Sequence, residues 1–205
     1  MRRTKEEAEQ TRRQIMTAAL NCFHARGIAR TTLEQVAAAA GVTRGAVYWH
    51  FADKSELVRA IREDVSLPLL DHSDLVLLRE NKVEPLERIK LFLSGFLSVL
   101  ERDPRTRKTL DIMSYKCEYV GDMAGDLQTF RKRHDRLRAC LTQVYAEARK
   151  DGSLRSGLDP DLAAAETLVF LVGLLRLWLL EGHAQGTRKM ARQLVDAHVM
   201  GRRKS

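Results

Sequence analysis

Apolar side chains recur every three or four residues along almost the whole chain, so the pattern predicts helices from end to end. In the first, residues 5–26, Ile15, Ala18, Ala19, Cys22 and Phe23 share one face and Gly27 closes it. The stretch RTTLEQVAAAAG then holds a helix of only two turns, with Leu33, Val36, Ala37 and Ala40 inward. Its start reads as a capping box, either Thr32 with Gln35 or Thr31 with Glu34. Gly41 supplies the turn, and Thr43 caps a third helix over 44–51. Helices this short do not survive alone in water, so Ala46, Val47 and Phe51 must hold the third against the first.

Asp53 opens a fourth helix, from Lys54 to about Leu70, which Pro68 is expected to bend or stop. A polar connection follows over 71–84. Pro85, Pro104 and Pro160 each open a further helix. The sixth is expected to reach Tyr119, the seventh to run from about Ala124 to Lys150, the eighth to Glu181 and the ninth over about 187–200. The expected fold is all-α with about nine helices. A three-helix helix-turn-helix domain occupies residues 1–53, and a larger helical domain 54–205.

Charge divides the chain the same way. The net charge is +8, and residues 1–62 carry eleven Lys and Arg against six acids. A basic module on a near-neutral body suits a polyanion. No apolar leader follows the basic N-terminus. The most apolar run, Leu162–Leu180, contains Glu166 and Arg176, which favours a buried helix over a membrane span. The three cysteines, Cys22, Cys117 and Cys140, have no metal-site spacing, and their odd number suits a reducing cytoplasm. No cofactor or metal is expected.

Residues 43–54, TRGAVYWHFADK, concentrate the candidate chemistry. With Ala46, Val47 and Phe51 inward, Arg44, Gly45, Tyr48 and Trp49 face outward and His50 lies at the edge. A recognition helix presents such a face to the major groove. Arg44 can donate a bidentate fork to guanine, and Gly45 lets the backbone approach DNA. Tyr48, His50 and Lys54 can donate to phosphate, and Thr32 and Thr43 lie at helix N-termini that attract it. Trp49 serves either a base contact or core packing.

The stretch TTLEQVAAAAGVTRGAVYWHFADKSELV is very similar to the N-terminal signature of the tetracycline-repressor (TetR) family of transcriptional regulators. RRTKEEAEQTRRQI at the start and YKCEYVGDM at Tyr115–Met123 further resemble the multidrug efflux-pump repressors of the AcrR and TtgR type. The resemblance implies a cytoplasmic homodimer, joined through the last two helices, on a palindromic double-stranded operator. DNA contacts would come from Thr32, Leu33, Val42, Thr43, Arg44, Gly45, Tyr48, Trp49, His50 and Lys54.

The same resemblance implies a small-molecule inducer, bound between the fourth and eighth helices. Its candidate contacts are Ile89, Phe92, Leu93 and Phe96 on the fifth helix, and Leu110, Met113, Ser114 and Cys117 on or after the sixth. Leu137, Leu141, Leu168, Leu171, Val172 and Arg176 complete the set. The lining is mostly aliphatic and aromatic, which suits an amphipathic or aromatic inducer. A buried Arg176 would need a partner, either an acidic or phenolic ligand or a neighbouring acid. No phosphate loop, nucleophile elbow or HExxH motif points to an enzyme. The alternative is a regulator of another operon that senses oxidants through Cys117 and Cys140.

Overall fold

The computed structural model describes residues 5–79, 82–117, 124–181 and 185–204. Among them are nine α-helices and no strand. They are α1 (Lys5–Arg26), α2 (Leu33–Ala40), α3 (Arg44–His50), α4 (Lys54–Asp74), α5 (Pro85–Arg102), α6 (Pro104–Tyr115), α7 (Ala124–Lys150), α8 (Pro160–Glu181) and α9 (Gln185–Met200).

Two of these boundaries differ from expectation by more than two residues. Pro68 does not stop α4, which runs on to Asp74 and into a π-helical turn over Leu75–Arg79. A proline forfeits one backbone hydrogen bond, here to residue 64, and the helix can continue past it. The expected polar connection also overlooked the apolar run Leu75–Leu78. Leu77 is fully buried, and Arg88 donates to its carbonyl at 2.8 Å. The sixth helix closes at Tyr115 rather than Tyr119. Residues 118–123, most of the YKCEYVGDM stretch, lie outside the described residues.

Packing separates the chain into two compact units, and not at residue 53/54. The first comprises Met1–Ser66 and Pro104–Leu127, the second Leu67–Asp103 and Gln128–Ser205. The part of α4 up to Ser66 and all of α6 thus join the head. Its core gathers Ile15, Ala19 and Phe23 of α1, Val36 of α2, Val47 of α3, Leu57 and Ile61 of α4, and Ile112 of α6. Polar contacts fasten α6 there: Lys108 donates to Asn21 at 2.8 Å, and Lys116 reaches the His24 carbonyl at 2.6 Å and Asp111 at 2.7 Å.

The second unit packs α5 against α9 and α8 against α9. Glu84 and Asp159 cap α5 and α8, each accepting two backbone N–H bonds. Buried Arg88 pairs with Glu147, and Arg136 with Asp74. A polar chain crosses this core: the Tyr145 and Thr167 hydroxyls lie 2.7 Å apart, and Thr167 Oγ1 lies 3.0 Å from His198 Nε2. The Phe170 ring stacks on the imidazole at 4.1 Å.

Candidate DNA-binding site

The helix-turn-helix is built from local chemistry. Thr32 caps α2 with the full capping box: its hydroxyl accepts from Gln35 N, and the Gln35 side chain accepts from Thr32 N. Thr31 is instead buried and donates to the Gly27 carbonyl at 2.8 Å. Gly41 ends α2 in the left-handed region, φ 66°, where its N–H and that of Val42 close onto α2 carbonyls. Thr43 then caps α3 by accepting from Ala46 N.

On α3 the inner and outer faces separate as expected. Val47 and Phe51 are buried, and the Arg12 guanidinium lies over the Phe51 ring at 5.2 Å. Trp49 is 73% exposed and Tyr48 43%, so Trp49 is not a core residue. Its ring meets His50 edge-on, with centroids 4.5 Å apart. Leu33, by contrast, is a core residue of α2, and Val42 packs against the same core. A Cβ on Gly45 would meet only Thr43 Oγ1 at 3.9 Å, so nothing in the head itself requires glycine there.

Two candidates carry contacts that their positions in the chain did not reveal. Lys54, expected to reach phosphate, turns its ammonium inward. Nζ lies 2.9 Å from the Ile28 carbonyl, 3.1 Å from that of Thr31 and 3.4 Å from that of Ala29. An ammonium has three donors, and these acceptors occupy them. Arg44 is held from two sides. Its Nε lies 3.0 Å from Glu34, and its Nη2 donates to the Tyr48 hydroxyl at 3.4 Å. Glu34 was legible in the sequence only as a capping candidate. Its carboxyl is held below the usual range, first by its own backbone N–H, then by the Thr32 hydroxyl, with Arg44 adding to this.

The tetR family of bacterial regulatory proteins matches residues 15–61, which run from within α1 through α2 and α3 into α4. The C-terminal region of MAATS-type transcriptional repressors matches residues 84–201. The chain belongs to the TetR family. This TetR-family member is a DNA-binding transcriptional repressor. It is 40% identical over 183 residues to the transcriptional regulator TtgR of Pseudomonas putida, covering 88% of this chain and 85% of TtgR. It is 34% identical over 198 residues to AcrR of Shigella flexneri, covering 95% and 90%. NalD, the secondary repressor of the MexAB-OprM multidrug efflux pump in Pseudomonas aeruginosa, superposes with a TM-score of 0.82 at 29% identity, covering 97% of this chain and 98% of NalD. The complex of SmeT with triclosan superposes at 0.81 with 31% identity, covering 96% and 93%. SmeT represses the Stenotrophomonas maltophilia pump SmeDEF.

The ligand candidates of this TetR-family repressor divide between its two units. Met113 and Cys117 pack against the head core, and Leu110 and Ser114 are half-buried on α6. In the second unit Ile89, Phe92, Leu93 and Leu141 are fully buried, and Leu168 and Leu171 nearly so. Phe96 and Leu137 are half-buried. Val172 and Arg176 are exposed, so Arg176 is not the buried cation that its apolar neighbours suggested. It lies on the side of α8 that faces away from the core, and a helix period shows one polar residue without showing which side bears it. The three cysteines are free thiols, and burial, then the Asp74 carboxylate, push the Cys140 thiol above its usual range. Among the described residues no group of three or more His, Cys, Asp or Glu could hold a metal. Helix α8 is long and apolar enough to cross a membrane by composition alone, and its Ala163, Ala164, Leu174 and Trp178 are buried in the body.

Proposed function

We propose that this repressor is a cytoplasmic homodimer that binds a pseudo-palindromic operator controlling a multidrug efflux operon, and that a mostly apolar or aromatic small molecule releases it. The observation that carries the DNA half is the two-faced α3. Val47 is buried while Arg44, Tyr48 and Trp49 stand outward, in the arrangement that a major-groove helix requires. Arg44 reads a base, Trp49 contacts base edges, Gly45 lets the backbone of α3 approach the DNA, and Thr32, Thr43, Tyr48 and His50 meet the DNA backbone.

The homodimer is supported by an apolar surface on the last two helices: Val169 and Leu180 on α8 are 74% and 73% exposed, and Met190 and Leu194 of α9 are exposed as well. Two heads then read half-sites about 34–36 Å apart, or a multiple of that. The efflux assignment follows from the kinship with NalD and SmeT, and the class of ligand from the triclosan bound by SmeT. The second unit's aromatic and aliphatic side chains, among them Phe92, Phe96, Leu137 and Leu168, suit such a molecule. Helix α4 links the two units along the chain, and in this reading it is the lever between ligand and DNA. The ligand works only through its differential affinity for the DNA-competent and released states.

The test is to capture genomic fragments on the purified protein at physiological salt, then titrate triclosan against the best of them. Recovery of a pseudo-palindrome beside transporter genes, released by triclosan, is the expected result. Sequence-blind binding that simply fades with salt would remove the reading of α3.

A further inference from the structure

Arg44 stands 63% exposed, yet it is not loose. Glu34, on the preceding helix, accepts from its Nε at 3.0 Å. The Tyr48 hydroxyl accepts from Nη2 at 3.4 Å, and the guanidinium carbon lies 5.2 Å from the Tyr48 ring centroid. Glu34 is itself tied back to its own N–H and to the Thr32 hydroxyl, which also accepts from Gln35 N at 3.3 Å. The clamp therefore joins the first turn of α2, through Glu34, to the outer face of α3. Of the five N–H groups on an arginine, the Nε–H and one on Nη2 are engaged, and three remain for a ligand, both on Nη1 and the second on Nη2.

We infer that Glu34 is a positioning residue for base recognition: it holds the Arg44 fork in its reading orientation before DNA arrives, and so raises sequence discrimination rather than affinity. This rests on Arg44 being the base-reading residue. The physical reason has two parts. A free arginine must be ordered when it binds, at a cost equivalent to roughly 2- to 10-fold in affinity, and an arginine already clamped avoids that loss. The clamp is also an acid on a surface that meets phosphates. It neutralises part of the attraction of Arg44 for any DNA, which is the sequence-independent part of binding. Pre-ordering favours the correct base and so raises the ratio, while charge cancellation weakens binding to every sequence alike and keeps the overall affinity from rising with it.

The experiment selects the preferred operator from random duplexes for the wild type. It then measures binding to that operator, to its single-base-pair variants and to unrelated DNA, for R44A, E34A and E34Q. Arg44→Ala should abolish the preference at one base pair per half-site. Glu34→Ala should weaken the preference at that same pair by roughly 2- to 10-fold while tightening binding to unrelated DNA. Glu34→Gln keeps an acceptor for Nε–H without the charge. It should retain most of the preference and still bind unrelated DNA more tightly. If R44A loses its preference and E34A keeps it in full, the positioning role is refuted while the reading of Arg44 stands. If R44A loses no base preference, Arg44 does not read a base and the inference falls with it. A merely structural Glu34 would lower the melting temperature and leave the preference ratio unmoved.

Discussion

A lysine at the first position of a helix is unfavourable to the helix dipole, so Lys54 needs a reason to be there. Three carbonyls of the α1–α2 loop, all within 3.4 Å of its ammonium, provide one. Lys54→Met keeps the unbranched stem and removes the charge and its donors. A hydrogen bond to a charged group contributes about 1.5–3 kcal/mol, and water can partly replace the lost donor at this half-buried site, so the variant should lose about 1–3 kcal/mol. For a chain of this size that lowers the melting temperature by roughly 2–10 °C. The second readout separates this role from a phosphate contact. Each phosphate contact steepens the salt dependence of DNA binding by about 0.9 in log–log slope. Binding of unrelated DNA by K54M, titrated with salt, should keep the wild-type slope at a temperature where the head stays folded. A slope shallower by about 0.9 with an unchanged melting temperature would refute the inward assignment and return Lys54 to the DNA surface.

Trp49→Ala should leave stability within about 0.5 kcal/mol, because the ring buries little, and weaken operator binding by about fivefold or more, read by gel shift and thermal melt side by side. Burial, reinforced by Arg202, lowers the His198 pKa to about 3, against about 6.5 when unfolded, so the unfolded chain binds the extra proton between these values. Stability from this group is complete above about pH 6.5 and falls as the pH drops towards 3, by about 2–3 kcal/mol once solvent access to the half-buried ring is counted. Urea midpoints should therefore fall more steeply between pH 7 and 4 in the wild type than in His198→Gln. Val169→Asp with Leu180→Asp should yield a monomer by light scattering with an intact helical spectrum, and a persistent dimer would place the subunit contact elsewhere.

Helix positions and their caps were legible because both are local. The apolar period placed α1, α7 and α8, with Gly27 and Pro160 marking where α1 ends and α8 begins, and Gly41 and Thr43 marked the end of α2 and the start of α3 by local chemistry. The outward face of α3 followed from the same period. Where local signals competed, the reading slipped: Pro68 and the acids near it outweighed the apolar run Leu75–Leu78, and only the burial of Leu77 beside Arg88 shows why the helical path continues. Arg176 had a polar identity but no legible direction.

By itself, then, the sequence determined an all-helical chain with a basic head, a recognition helix and its outward residues, because period, capping and charge are written within a few neighbouring positions. Only the tertiary structure decided that α6 belongs to the head, that Lys54 faces three carbonyls more than twenty residues away, and that Glu34 clamps Arg44 across the turn. Each of these is a contact between segments whose approach depends on how whole helices pack, and no local pattern encodes that geometry.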